Sequence, residues 1–274
     1  MLASAPAWAA VPIASCPYFI SAPGNYVVTA DLTCPFISNM GNAGIVITAS
    51  NVSVNLNGRT ITGFVGREGI KIMGDREHRV DHVGISGPGL IRNFGTGIVI
   101  QDADFVQVSG VTVAGTGAGT ALSDDQSVFG IFASRSSRLT VGQNVISQAF
   151  YGVLLDDSVG AAVTGNQVLG NVFGIVVGSG SGNAVTGNTA SGNKSIGILL
   201  GNGHMLVTTS RVASNTTNGN GDAGIAAGTG AFSNQIFSNT SVGNTGNDLR
   251  ETHICGSNLW SSDTFFTRYG LCEQ

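Results

Sequence analysis

The chain has 274 residues, of which 10% are charged and 42% hydrophobic, with 41 glycines and 6 prolines. That balance excludes a disordered chain, which would be rich in charge and poor in β-branched residues, and glycines that do not recur every third residue exclude collagen. A net charge of −4 with only two lysines, Lys71 and Lys194, leaves no clustered basic surface for nucleic acid, and no apolar run is long enough to span a bilayer.

Residues 1–10 contain Ala7-Trp8-Ala9, the small-residue spacing of a signal-peptide cleavage region, and are expected to be a signal-peptide remnant or a disordered N-terminus. Residues 11–43 are expected to form an N-terminal cap holding Cys16 and Cys34. Gly-Ile or Gly-Val steps then recur at Gly44, Gly69, Gly97, Gly130, Gly152, Gly174, Gly197 and Gly224, with spacings of 25, 28, 33, 22, 22, 23 and 27. The shortest spacing sets a 22-residue unit, and period-2 segments such as Val52-Ser53-Val54-Asn55-Leu56 recur where no 3.6-residue pattern does. Three short strands in 22 residues make one turn of a parallel β-helix. Residues 44–245 are therefore predicted to be an all-β, single-stranded, right-handed parallel β-helix of about eight coils, numbered here from the glycines.

Within the repeats, Asn144, Asn166 and Asn188 lie 22 apart, as do Asn171, Asn193 and Asn215. Asparagine tolerates left-handed turns, so stacked copies are expected to form ladders between coils. Residues 246–274 are expected to be the C-terminal cap, with Trp260, Phe265 and Phe266 available to cover the last coil. This segment holds Cys255 and Cys272. Of the three connectivities that four cysteines allow, only Cys16–Cys34 with Cys255–Cys272 joins residues that an elongated rod brings together. Each such loop adds about 3 kcal/mol of stability on the chain-entropy view. Two disulfides imply an oxidising compartment, so the chain is expected to be secreted or periplasmic.

Insertions beyond the basic unit concentrate in the first three intervals, and inserted loops on a rigid solenoid are where binding residues gather. One loop, Asp75-Arg76-Glu77-His78-Arg79-Val80-Asp81-His82, is the densest ionisable run; another, at 114–129, holds Asp124 and Asp125. The fifth residue after each repeat glycine gives a second cluster, because Asp102, Arg135 and Asp157 fall on successive coils, about 5 Å apart. Asp104 and Asp156 lie beside them, and Lys71 follows on coil two. The outward column Val46, Lys71, Val99, Phe132, Leu154, Val176, Leu199 and Ala226 is mostly apolar, which points to cover by a loop, a partner or a second subunit.

Cys16 through Pro23-Gly24-Asn25-Tyr26 to Asp31-Leu32-Thr33-Cys34, then Asn51-Val52-Ser53-Val54-Asn55-Leu56-Asn57-Gly58 and Ile85-Ser86-Gly87-Pro88-Gly89-Leu90-Ile91-Arg92-Asn93-Phe94, carry a resemblance. The chain resembles secreted bacterial right-handed β-helix repeat proteins of the pectate-lyase-like superfamily. That superfamily holds lyases, hydrolases, epimerases and adhesins, so the resemblance implies a fold more sharply than an activity. Asp156-Asp157 echoes the acidic pair of its polygalacturonase-like enzymes and Gly203-His204-Met205 partly echoes their Gly-His-Gly, while their Asn-Thr-Asp and Arg-Ile-Lys motifs are absent.

The expected ligand is an acidic, uronate-containing polysaccharide. For β-elimination, Arg135, Arg76 or Lys71 would neutralise the substrate carboxylate and His78 or His82 would take the proton. Asp102, Asp104, Asp124 and Asp125 are the candidates for a bridging calcium ion. For glycoside hydrolysis, Asp156-Asp157 or Asp124-Asp125 would work with Asp102. The alternative is a non-catalytic β-helix: an adhesin, a glycan-binding module or a structural surface protein.

Overall fold

A computed structural model describes residues 9–35, 43–64, 66–115, 128–201, 205–252 and 256–270. Among these, all helical and extended elements are strands, and the chain winds as a right-handed parallel β-helix of about nine turns. Two sheets of 11 strands run its length. Sheet I goes from Val11–Ile13 to Leu259–Ser261, sheet II from Tyr18–Ile20 to Arg268–Tyr269. A third sheet of six strands joins them over the first coils. Ten steps between 11 strands give a rod about 50 Å long. The stack does not stop at the repeat glycines. Val11–Ile13 and Tyr18–Ile20 precede coil one, and Asn247–Glu251 and Arg268–Tyr269 extend sheet II past coil eight.

The glycine repeat has a steric cause. A Cβ on Gly97 would lie 2.6 Å from the carbonyl oxygen of Gly130, and one on Gly130 would lie 2.4 Å from that of Gly152. Only glycine lets successive coils close at this corner. The next residue of each repeat points inward: Ile45, Ile70, Ile98, Ile131, Val153, Ile175, Ile198 and Ile225 are all fully buried in one continuous core. The outward column is more sheltered than its position suggests. Val46, Val99, Val176 and Ala226 are buried, and Phe129, Tyr151 and Phe173, which precede their repeat glycines, stack at 5.5 and 5.3 Å along the same face. The chain's own side chains thus supply part of the cover expected from a loop or partner.

The asparagine columns form the predicted ladders. Asn144, Asn166, Asn188, Asn215 and Asn239 each donate backbone N and Nδ2 to the side chain one coil on, at 2.8–3.0 Å, ending on Asp263. A second ladder runs Asn171, Asn193, Asn220, Asn244 to Asp248. A third passes from Asn183 through Ser210, Asn234 and Asn258 to Glu251. The 22-residue spacing misplaces Asn215, which stacks on Asn188 instead of Asn193. The 27-residue interval after Gly197 adds five residues before the next coil, shifting every column behind it.

At the ends, Cys16 and Cys34 form a disulfide with Cα atoms 5.2 Å apart, as expected. Cys255 and Cys272 lie outside the described residues. Trp260 and Phe265 pack against the core, and Trp260 Nε1 donates to Glu251 at 2.9 Å, whereas Phe266 is 82% exposed and covers nothing.

The ladders yield a stability prediction. Asn188→Ala strips the acceptor from both the backbone N and the Nδ2 of buried Asn166 and leaves the Val163 carbonyl without its Nδ2 donor. The expected loss is about 2–4 kcal/mol in urea unfolding, whereas Gln167→Ala, exposed on the neighbouring strand, should fall within about 0.5 kcal/mol of the parent.

Candidate functional site

The ionisable loop of coil two is held by its first residue. Asp75 Oδ1 accepts the backbone N–H groups of Glu77 (2.8 Å) and His78 (2.6 Å), an Asx-type turn. Those donors, His78 N–H first, hold the Asp75 carboxyl below its ordinary range. The turn launches Arg79 across the next two coils. Arg79 Nε and Nη2 clasp both oxygens of Asp104 at 2.6 and 2.9 Å, and Nη2 also donates to the Arg135 carbonyl at 2.8 Å. Ser137 donates a further short hydrogen bond to Asp104.

The column read from the repeat register exists. Asp102, Arg135 and Asp157 all take left-handed backbone conformations, with φ of 49, 49 and 47°. Aspartate accepts that region readily. Arginine does so at a cost on the order of 1 kcal/mol, so its presence in the column needs a reason. The reason is Asp102: Arg135 Nε and Nη2 each reach one of its oxygens at 2.8 Å, a parallel fork between adjacent coils. Asp102 is buried. The Arg135 hydrogen bonds, opposed by desolvation, hold its carboxyl below the ordinary value; Asp104 is lowered chiefly by Arg79. Both guanidiniums are pushed further toward the charged form by the same contacts.

These side chains frame an open cleft of about 420 Å³, lined by Arg76, Arg79, Asp102, Arg135, Ser136, Ser137, Asp157 and Val159. Its electrostatics are divided. Arg76 is exposed and makes no ion pair among the described residues, and the forks leave Arg79 Nη1 unbonded and Arg135 Nη1 only 3.5 Å from Ser134 Oγ. From coil six, Ser179 donates to Asp156 on coil five at 2.7 Å and accepts the Asp157 backbone N–H at 2.6 Å. Asp156 is thereby engaged away from the cleft, and the Asp157 carboxylate lines it without a hydrogen bond among the described residues. Three guanidinium edges, with one carboxylate on the coil next to Arg135, suit an anionic ligand that also carries hydroxyls.

The other predicted residues separate from this cleft. Lys71 sits on the outer face of sheet II, paired with Glu68 at 3.1 Å. His78 is 83% exposed beside Asp75, and His82 lies three residues beyond Arg79, stacked on Phe105. Neither lines the cleft. Asp124, Asp125 and His204 lie outside the described residues. Calcium ligation by Asp102 and Asp104 is displaced by arginine, because the oxygens a cation would need are already clasped. Arg79 was not singled out by the sequence, although it stands in the densest charged run. Its partner is 25 residues away on the next coil, outside the repeat register.

Residues 90–269 match the family described as NosD: Periplasmic copper-binding protein. No curated protein sequence matches the chain. Among solved structures, the periplasmic alginate epimerase AlgG is similar at 14% identity, over 86% of this chain and 70% of that one, with a TM-score of 0.51. The tailspike protein of E. coli bacteriophage HK620 in complex with pentasaccharide is similar at 13% identity and a TM-score of 0.65, over 90% of this chain. The chain spans 56% of the tailspike. Identities this low establish the shared fold.

The two forks make stability depend on pH. A carboxyl whose folded pKa is depressed stabilises the fold above its unfolded value, 3.8 here, and loses that contribution as pH falls through the lower folded value. The melting temperature of the parent should therefore fall more steeply between pH 5 and pH 2 than that of an Asp102→Asn/Asp104→Asn double variant; equal slopes would contradict the forks.

Proposed function

The chain belongs to the NosD family, and from that premise and the cleft we propose that it is a periplasmic β-helix that binds acidic polysaccharide across coils two to five. The observation that carries the reading is the convergence of Arg76, Arg79 and Arg135, two of them locked by carboxylates with an edge left toward solvent. A guanidinium fixed in advance loses less freedom on binding a uronate carboxylate. Asp102 and Asp104 are then positioning residues. The alginate and pentasaccharide named for the two similar structures support a saccharide ligand.

The family's name raises copper, and the described residues do not fit it. His78 faces Asp75 at 3.4 Å and His82 faces Asp81 at 3.3 Å, each a lone imidazole, and Cys16 and Cys34 are spent in the disulfide. Among the described residues no three His, Cys, Asp or Glu gather as a metal would require.

A second reading, β-elimination, draws on Asp157, a cleft carboxylate on the coil next to Arg135 that makes no hydrogen bond among the described residues. A base beside a neutralised substrate carboxylate is what abstraction of the adjacent carbon-bound proton needs. Hydrolysis is less supported, because it requires a protonated carboxyl and Asp102 and Asp104 are held ionised.

Calorimetric titration with polygalacturonate and alginate oligosaccharides tests the proposal. Binding should weaken with added salt, and Arg76→Ala should weaken it about ten- to a hundredfold, the scale of one charged hydrogen-bonding group. Absence of binding to any acidic polymer overturns the proposal. Growth of near-ultraviolet absorbance from unsaturated ends, abolished in Asp157→Ala, would add elimination to binding.

A further inference from the structure

Sheet I carries a second recess that the arginine cleft does not use. Asn25, Ser53, Gly84 and Gln107 are register neighbours on four successive strands and form one outward row. Gly84 is the anomaly in that row. Unlike Gly97 or Gly130, it faces no backbone that would exclude a Cβ, since an added Cβ would meet nothing within 4 Å. Nor does it adopt the left-handed conformation that explains Gly165 or Gly187. Glycine weakens a strand interior, and with neither packing nor backbone requiring it, close approach by something outside the chain is the remaining physical reason.

One wall of the recess is formed by the left-handed turn residues Asn51, His82 and Phe105, whose column continues beyond it to Arg138, with φ between 52 and 57°. The His82 ring stacks on Phe105 at 4.9 Å and 12°, and the Arg138 guanidinium lies 4.9 Å from the same ring. Phe105 is thereby fixed with 44% of its surface exposed. The recess is open to solvent and has a volume of about 330 Å³. Apart from the His82 imidazole, its polar lining is made of uncharged groups: Ser53 donates to Asn25 Oδ1 at 2.6 Å, and the side-chain amides of Asn51 and Gln107 have no partner among the described residues. An amide both donates and accepts, as a sugar hydroxyl does. A few placed polar groups beside a fixed ring describe a small-ligand site, whereas a protein partner would call for a broader apolar patch.

We propose that this recess over coils one to three is a subsite for an uncharged sugar residue, with Gly84 as its floor. The proposal rests on the polysaccharide reading for its ligand class. On coil three only Ala103 and Asp104 lie between Asp102 of the arginine cleft and Phe105 of the recess, so one glycan with acidic and neutral residues can engage both.

The full chain should be titrated with neutral hexasaccharides of glucose, mannose, galactose and N-acetylglucosamine. At least one should bind. Gly84→Ala should keep the melting temperature and weaken binding at most a few-fold, whereas Gly84→Tyr should weaken it at least tenfold; if Gly84→Tyr fails to fold, Gln107→Ala should still weaken it several-fold. Arg76→Ala should leave neutral binding unchanged, so loss of acidic binding alone would strike the cleft and not this subsite. No neutral hexasaccharide binding, binding indifferent to Gly84→Tyr and Gln107→Ala, or casein binding lost in Gly84→Tyr in place of any sugar would each overturn the assignment.

Discussion

Parallel stacking puts the same position of every coil into one column at a spacing of about 4.8 Å, and each residue therefore answers to the residue above and below it. The corner column admits glycine because coils close there onto a carbonyl. The inner column is β-branched or leucine because no coil can bury its own core. The turn columns accept asparagine because its amide can both cap its own turn and reach the next one. Chemistry arises where a column departs from what stacking alone prefers, as with Arg135 in a left-handed turn and Gly84 in a strand that has room for a side chain.

The cleft shows how such a scaffold prepares charged groups. An exposed arginine samples many rotamers. Here the forks to Asp102 and Asp104 fix two guanidiniums, and the Asp75 turn fixes the direction from which the third enters. The carboxylates that look reactive in the sequence are thus largely consumed in holding cations. Asp157 lines the cleft with no hydrogen bond to its carboxylate among the described residues, while Ser179 holds its neighbour Asp156.

Much of this was legible in the sequence wherever spacing is conserved along the rod. The glycine interval identified the solenoid, the local cysteine spacing the first disulfide, and the fifth position after glycine the Asp102–Arg135 contact. Legibility failed where an insertion broke the count. Asn215 was assigned to the wrong column because five extra residues intervene, and Arg79 was passed over because a loop carries it to a partner outside the register. Lys71 followed the register correctly onto coil two, but on a different face from the cleft, where Glu68 neutralises it. The significance of Gly84 was invisible among 41 glycines, since only coordinates distinguish a glycine required by crowding from one beside open space.

The three amide ladders share an ending. Each passes hydrogen bonds in one direction, N–H of one coil to side-chain oxygen of the next, and all three finish on carboxylates, Asp263, Asp248 and Glu251, that have nothing to donate. Asp248 takes the amide of Asn244 on one oxygen and the backbone N–H groups of Phe266 and Thr267 on the other. Glu251 takes Asn258 and Trp260 in the same way. A carboxylate accepts and does not donate, so a second molecule stacked on this end would find no N–H in those columns to continue the pattern. An endless fibre is the hazard of any rod built from repeating coils. In this chain the polarity of the ladder supplies a stop signal, and a few acidic side chains set where the polymer of coils ends.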